Sequence, residues 1–195
     1  MFEEIYKFEK SLAKFTGAPF AISTDCCTHA IELCMRYDKV KKTEFTAFTY
    51  LSIIMTMKRL DIEYKLLNEK WIGEYRFYNT RIWDSARLLS KNMYRGGMLQ
   101  CLSFGHGKPV DISRGGAILL DDQDAYNEIC KMRYDGRDLE ISPWAHQGIF
   151  KLGYHYKLNP EECIRAHKKL KAYIRLENYE PQFVEYPDCR RITID

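Results

Sequence analysis

The sequence predicts an α/β fold built on a mainly parallel sheet. Helix-spaced segments alternate with short apolar runs, which is the order of a βαβ architecture. One of those runs ends on Asp84, the place where an α/β sheet presents ligand-binding side chains. At 195 residues with 46% hydrophobic content, the chain holds one substantial domain and little more.

The opening segment 2–15 places Ile5, Phe8, Leu12 and Phe15 at three- and four-residue steps, and Gly17 ends the pattern. A short strand at 19–22 leads through a turn into a second helix at 28–37. There Ile31, Cys34 and Met35 share a side, and Asp25 or Thr28 is placed to cap the start. Residues 44–48 read as a strand, 51–60 as a helix with Ile54, Met55 and Met57 inward, and 62–67 as a strand. Residues 75–83 read as one strand ending on Asp84, and 98–104 as another, followed by a polar, glycine-containing loop. The run 116–120 is wholly apolar and breaks at Asp121 and Asp122, before a helix at 124–134. After Pro160 comes a charged helix, 161–176, and then an extended tail with Pro181 and Pro187.

Bulk properties narrow the function. With 30 basic and 27 acidic residues the net charge is only +3, so nothing demands nucleic acid or an anionic membrane. No apolar run approaches a bilayer span and the Met-Phe-Glu-Glu start lacks the pattern of a signal peptide, so a cytoplasmic protein is expected. The seven cysteines have no paired C-x-x-C spacing and read as reduced, mostly buried thiols. Neither a Gly-x-Gly-x-x-Gly stretch nor a P-loop occurs, and the five histidines show no ligand spacing, so no metal is expected.

One cofactor finds a candidate residue for each of its needs. Pyridoxal 5′-phosphate (PLP) requires an amine for an imine, a carboxylate at the pyridine nitrogen, an aromatic face on the ring, and donors at a helix start for the phosphate. Asp84 ends an apolar strand, and Lys108 lies in a tight loop between two buried strands. Taken singly, such an acid also serves as a helix cap, and such a lysine as a solvated loop residue.

The motifs taken together resemble the DegT/DnrJ/EryC1/StrS family of PLP-dependent sugar aminotransferases, in order across about residues 1–170. Phe15-Thr16-Gly17-Ala18-Pro19-Phe20-Ala21-Ile22 is similar to the family's entry helix and first strand, and Cys27-Thr28-His29-Ala30-Ile31-Glu32-Leu33 stands where the family has Gly-Thr-x-Ala-Leu-x-Leu. Trp83-Asp84-Ser85-Ala86-Arg87 resembles its Glu-Asp-Ala-Ala-Gln run. The spacing from Ser103-Phe104 to Lys108, and from Lys108 to Gly115-Gly116, is the most specific likeness. Leu152-Gly153-Tyr154-His155-Tyr156 resembles the family's Leu-Gly-Tyr-Asn-Tyr.

The resemblance implies the large domain of the type I aminotransferase fold, compacted, over 1–160, with 161–195 as a vestige of the small domain. It implies PLP as cofactor, with Lys108 forming the internal aldimine, Asp84 on the ring nitrogen, Tyr50 stacked on the ring and Arg87 at the phenolic oxygen. Thr28 and His29 fall at the phosphate, Ser103 beside the lysine, and His155 would reach a partner's cofactor in a homodimer. The implied reaction is transamination of a nucleotide-linked keto sugar with glutamate as donor. Four residues depart from the family pattern: Arg87 stands for glutamine, Cys27 for glycine, Arg114 for glutamate and His155 for asparagine. Normal members are also about twice as long, which leaves an alternative of a different class: a catalytically degenerate PLP-fold protein that binds or regulates.

Overall fold

A computed structural model describes residues 2–176, 180–181 and 183–194. Its helices are α1 (Glu3–Thr16), α2 (Cys27–Tyr37), α3 (Leu51–Arg59), α4 (Gln123–Met132) and α5 (Pro160–Ile174). The strands are β1 (Phe20–Thr24), β2 (Lys42–Thr46), β3 (Glu63–Leu67), β4 (Tyr75–Arg76), β5 (Ile82–Asp84), β6 (Leu99–Ser103) and β7 (Gly116–Leu120). Two 3-10 turns, Trp144–Gln147 and Cys189–Arg191, complete the described structure.

The main sheet runs β1-β7-β6-β5-β4, and β2 pairs with β3 alongside it. It is mixed rather than mainly parallel: β5–β6 and β2–β3 are parallel, whereas β1–β7, β7–β6 and β4–β5 are antiparallel. The physical reason lies in the connections. No helix separates Ser103 from Gly116, and parallel neighbours need a crossover long enough to return to the same edge. The chain therefore doubles back, and β6 and β7 pair as neighbours running in opposite directions. The expected strand over 75–83 is likewise two strands, folded back through a turn in which Asn79 has φ +63°.

Alternation along the strands divides the core in two. Ile118 and Leu120 of β7 join Ile22, Leu99 and Cys101 under α2, α3 and α4, while Ala117 and Leu119 join Ala21 and Leu102 under α1 and α5. A strand covered on both faces must be apolar at every position, which accounts for the unbroken Gly-Ala-Ile-Leu-Leu run. Each buried Leu or Ile contributes roughly 1.5–3 kcal/mol. The helix α5 packs its Cys163, Ala166 and Leu170 against Ile5, Phe8 and Leu12 of α1, so it shares the core of the sheet.

Other details differ from the sequence reading. Met55 is exposed, and Ile53 takes its place inward with Ile54 and Met57. The cap of α2 is neither Asp25 nor Thr28 but Cys26, whose Sγ accepts from the His29 amide at 3.4 Å. All seven cysteines are free thiols, four of them buried. No helix among the described residues is long and apolar enough to cross a membrane.

Candidate functional site

The strand register brings the candidate residues to one edge of the sheet. Ser103 pairs with Gly116 and Thr24 pairs with Gly116 from the other side, while Asp84 pairs with Cys101 one strand over. The carboxyl ends of β1, β5 and β6 therefore meet the start of β7, with the loop bearing Lys108 above them. Gly116 makes this edge possible: a Cβ there would lie 2.5 Å from the Cys27 backbone nitrogen. Only glycine allows β7 to abut the first turn of α2.

A cleft of about 540 Å³ opens at this edge, a size within the usual range of ligand pockets. Thr28, Tyr50, Asp84, Arg87, Ser103 and Lys108 all line it. Thr28 sits in the first turn of α2, its hydroxyl bonded to that of Ser52 at 2.7 Å, close to the backbone amides that an anion would meet. Tyr50 precedes α3 and is 66% exposed, free on the open side of the cleft. Ser103 Oγ accepts from the Gly105 amide, which shapes the turn before Lys108.

Asp84 is the buried acid of the cleft. Its Oδ2 accepts from the Tyr75 hydroxyl at 2.8 Å and its Oδ1 from the Ala86 amide at 3.0 Å. Burial raises its carboxyl above the usual range, against the pull of those two donors and of the Lys108 charge. Cys27 Sγ lies 4.0 Å from Asp84 Oδ1, and burial, with the acid beside it, pushes that thiol well up. Cys27 is thus a neutral side chain between the helix start and the carboxylate.

Two candidates lie outside the cleft: His29, expected at the phosphate, and His155, expected to serve a partner's site and not this one. His29 faces away from the cleft, its ring stacked on Tyr156 at 3.6 Å and its Nδ1 bonded to Asp25 at 2.7 Å. Burial works against its charge, yet the hydrogen bonds with Asp25 and Cys26 raise its pKa to about 9. His155 is exposed and pairs with Asp135 at 2.9 Å, outside the cleft. Asp25, Cys26 and His29 hold their potential metal-ligand atoms within 4.8 Å of one another, a grouping that spacing in the sequence did not suggest. Those atoms are engaged with each other: the Asp25 carboxylate with the ring, and the Cys26 sulfur with the His29 amide.

Sequence reasoning also missed residues that line or support the cleft, among them Trp71, Tyr75, Tyr186 and Thr49. Tyr75 carried a faint signal, because a tyrosine in a short strand beside a buried acid is a natural donor to it. Tyr186 carried none, since its place depends on where the tail goes.

Comparison with known proteins follows the same outline. The DegT/DnrJ/EryC1/StrS aminotransferase family model matches residues 1–63. No curated protein sequence matches the chain. Among solved structures, 3-amino-5-hydroxybenzoic acid synthase superposes with a TM-score of 0.73 at 18% identity, covering 89% of this chain and 56% of the other. The sugar aminotransferase CalS13 from Micromonospora echinospora gives 0.72 at 14% identity, over 89% and 61%. Helicobacter pylori PseC, an aminotransferase involved in the biosynthesis of pseudoaminic acid, gives 0.70 at 15% identity, over 89% and 58%. The chain therefore spans under two thirds of the length of these structures, and it has the α/β fold of the PLP-dependent aminotransferases.

Proposed function

We propose that this chain, with a DegT/DnrJ/EryC1/StrS family match over its first 63 residues and the aminotransferase fold over 89% of its length, is a PLP-dependent aminotransferase acting on a nucleotide-linked keto sugar. The observation that carries the reading is the convergence of Lys108 and the buried Asp84 in one cleft, with Thr28 and Tyr50 on its walls. The donor set suits the cofactor. A fixed acid, a free amine, hydroxyls at a helix start and an unstacked aromatic ring stand together, and each Asp84 oxygen accepts one O–H or N–H bond, from Tyr75 or from Ala86, and keeps a lone pair for a further donor.

When bound, PLP supplies an electron sink for the carbon that loses its proton. Lys108 is the amine that would link to its aldehyde, and once released would carry the proton between the substrate carbon and the cofactor's C4′. Asp84, held by Tyr75 and Ala86, keeps the ring nitrogen protonated. Thr28 and the first amides of α2 hold the phosphate. Tyr50 covers the ring face, and Ser103 shapes the Lys108 turn. Arg87 replaces a neutral donor with a charged one at the phenolic oxygen.

In this reading His155, exposed on the surface with Asp135, is presented to the cofactor phosphate of a second copy, so the working unit is a homodimer. Glutamate is the amino donor and the reaction is cytoplasmic. Residues 1–160 form the cofactor-binding part in this reading, and α5 after them packs on α1 in the same core. His29 enters only as support for the first turn of α2, through its contacts with Asp25 and Cys26.

The test is absorbance of the purified protein. Added PLP is expected to give a visible Schiff-base band that Lys108→Ala loses, and glutamate is expected to convert it to the pyridoxamine form. A wild-type protein that stays colourless with excess PLP overturns the reading. A band that forms but ignores every amino donor leaves a binding protein in place of an enzyme.

A further inference from the structure

The tail beyond α5 returns to the cleft. Val184, Tyr186 and Asp188 are half-buried while Phe183, Glu185 and Pro187 are exposed, the alternation of an extended segment lying on a surface. It is anchored at its far end. Asp188 bridges to Phe48, the Cys189 amide donates to the Ala47 carbonyl at 2.9 Å, and Cys189 is buried in the core beneath α2 and α3. Arg190 adds a bond to Asn68 at 3.0 Å.

Between anchor and helix, Tyr186 lines the cleft. Its ring stacks on Trp71 with centroids 5.6 Å apart, and Trp71 is itself held by Nε1 donating to the Phe48 carbonyl. The Tyr186 hydroxyl accepts from Arg87 Nε at 3.4 Å, while Arg87 Nη1 donates to the Gly107 carbonyl at 2.9 Å. Gly107 immediately precedes Lys108. A continuous chain of contacts thus runs from the tail through Tyr186 and Arg87 to the loop that carries the lysine. An arginine between two such partners is held in one orientation, because its planar fork has fixed donor directions.

We propose that Tyr186 is a positioning residue: the tail uses it to hold Arg87 against the Gly107 carbonyl, and so sets the Lys108 loop for ligand capture. The tail thereby supplies a wall of the cleft from within the same chain. This assignment rests on the PLP reading for its consequence in binding, but its geometry stands without the cofactor.

The test is a double-mutant cycle on the full chain. Tyr186→Phe keeps the ring on Trp71 and removes only the hydroxyl, and Arg87→Met removes the guanidinium. Tyr186→Phe is expected to raise the Kd for pyridoxal 5′-phosphate about 3- to 10-fold, the usual worth of one such hydrogen bond, and Arg87→Met by at least as much, since it also removes the donor at the phenolic oxygen. The double variant is expected to be no weaker than Arg87→Met alone, because the two act through one contact. A tyrosine that merely packed the tail would leave the Phe variant unchanged. If wild type takes up no cofactor, the functional reading fails on its own, and the same cycle is read from amide exchange at Gly107 and Lys108 in the ligand-free protein. There each single variant should exchange about 3-fold faster or more, with no further gain in the double. Additive effects, or a Tyr186→Phe protein indistinguishable from wild type in the readout used, overturn the assignment.

Discussion

The Tyr75 hydroxyl donates to Asp84 across 2.8 Å and itself receives a bond from Thr49 at 2.7 Å, so a relay of two hydroxyls ends on the buried acid. Those donors hold the carboxylate in place without cancelling the cost of burying it, since its pKa stays raised. For an acid with a raised folded pKa, the associated stability is full below the unfolded value, about 3.9, and is lost as pH rises through the folded one. At neutral pH an ionised Asp84 is therefore a burden on the ligand-free chain.

Asp84→Asn should relieve it. The amide can donate to the Tyr75 oxygen while Tyr75 turns its proton to Thr49, so Tyr75 and the new amide stay paired and only the Thr49 proton must find another acceptor. We expect a gain of about 1 kcal/mol, roughly 2–4 °C in Tm for the ligand-free protein, together with weaker PLP uptake. A lower Tm in calorimetry would count against this account of the acid.

His29 supplies a pH dependence of its own. Its pKa is raised to about 9, so the stability it contributes is complete below the unfolded value, about 6.5, and disappears as pH passes through about 9. After allowance for solvent screening the effect is about 1–2 kcal/mol. Denaturant unfolding at about pH 6 and pH 9.5 should show the loss in wild type and a smaller one in His29→Gln. Equal pH slopes in the two proteins would remove the histidine from the explanation.

Outside the cleft lining, Glu9 of α1 and Arg133 beside α4 form a buried ion pair, and Glu9 Oε1 also accepts from the Ser23 amide and hydroxyl. Removing one partner strands a charge, so Arg133→Met is expected to cost about 3–5 kcal/mol in urea unfolding. The double change Glu9→Leu with Arg133→Met should recover a large part. Strict additivity would show that the pair is not coupled.

Gly116→Ala tests the closeness of β7 to α2. Its methyl group would meet the Cys27 nitrogen and the Cys26 carbonyl, which are backbone and can yield only if the helix start moves. We expect more than about 3 kcal/mol of destabilisation, or an insoluble product. Wild-type stability in the alanine variant would mean that this edge is looser than its geometry indicates.

Much of this was legible in the chain itself, because its signals are local. Helical spacing in α1 and α2, the unbroken apolar run of β7 and the start of α5 at Pro160 each depend on residues within a turn or two of one another. Strand patterning alone leaves Asp84 as a helix cap and Lys108 as a loop lysine; both were legible through the resemblance of the Trp83–Arg87 run and of the spacing from Ser103-Phe104 to Lys108 and on to Gly115-Gly116. His29 misled because side-chain direction in the first turn of a helix follows from packing partners that the local sequence does not name, and on the irregular segment bearing His155 it is likewise set by a distant residue. Here those partners are Tyr156 and Asp135.

By itself, then, the sequence determined most of the elements and the burial of the β7 run, since backbone propensity and alternation act over short range, and its motif resemblance marked the candidate residues at the strand ends. Only the tertiary structure decided that β6 and β7 run antiparallel, that Tyr75 stands behind Asp84, and that the tail brings Tyr186 to Arg87. Each of these joins segments through long-range contacts, whose choice rests on three-dimensional packing that no period along the chain encodes.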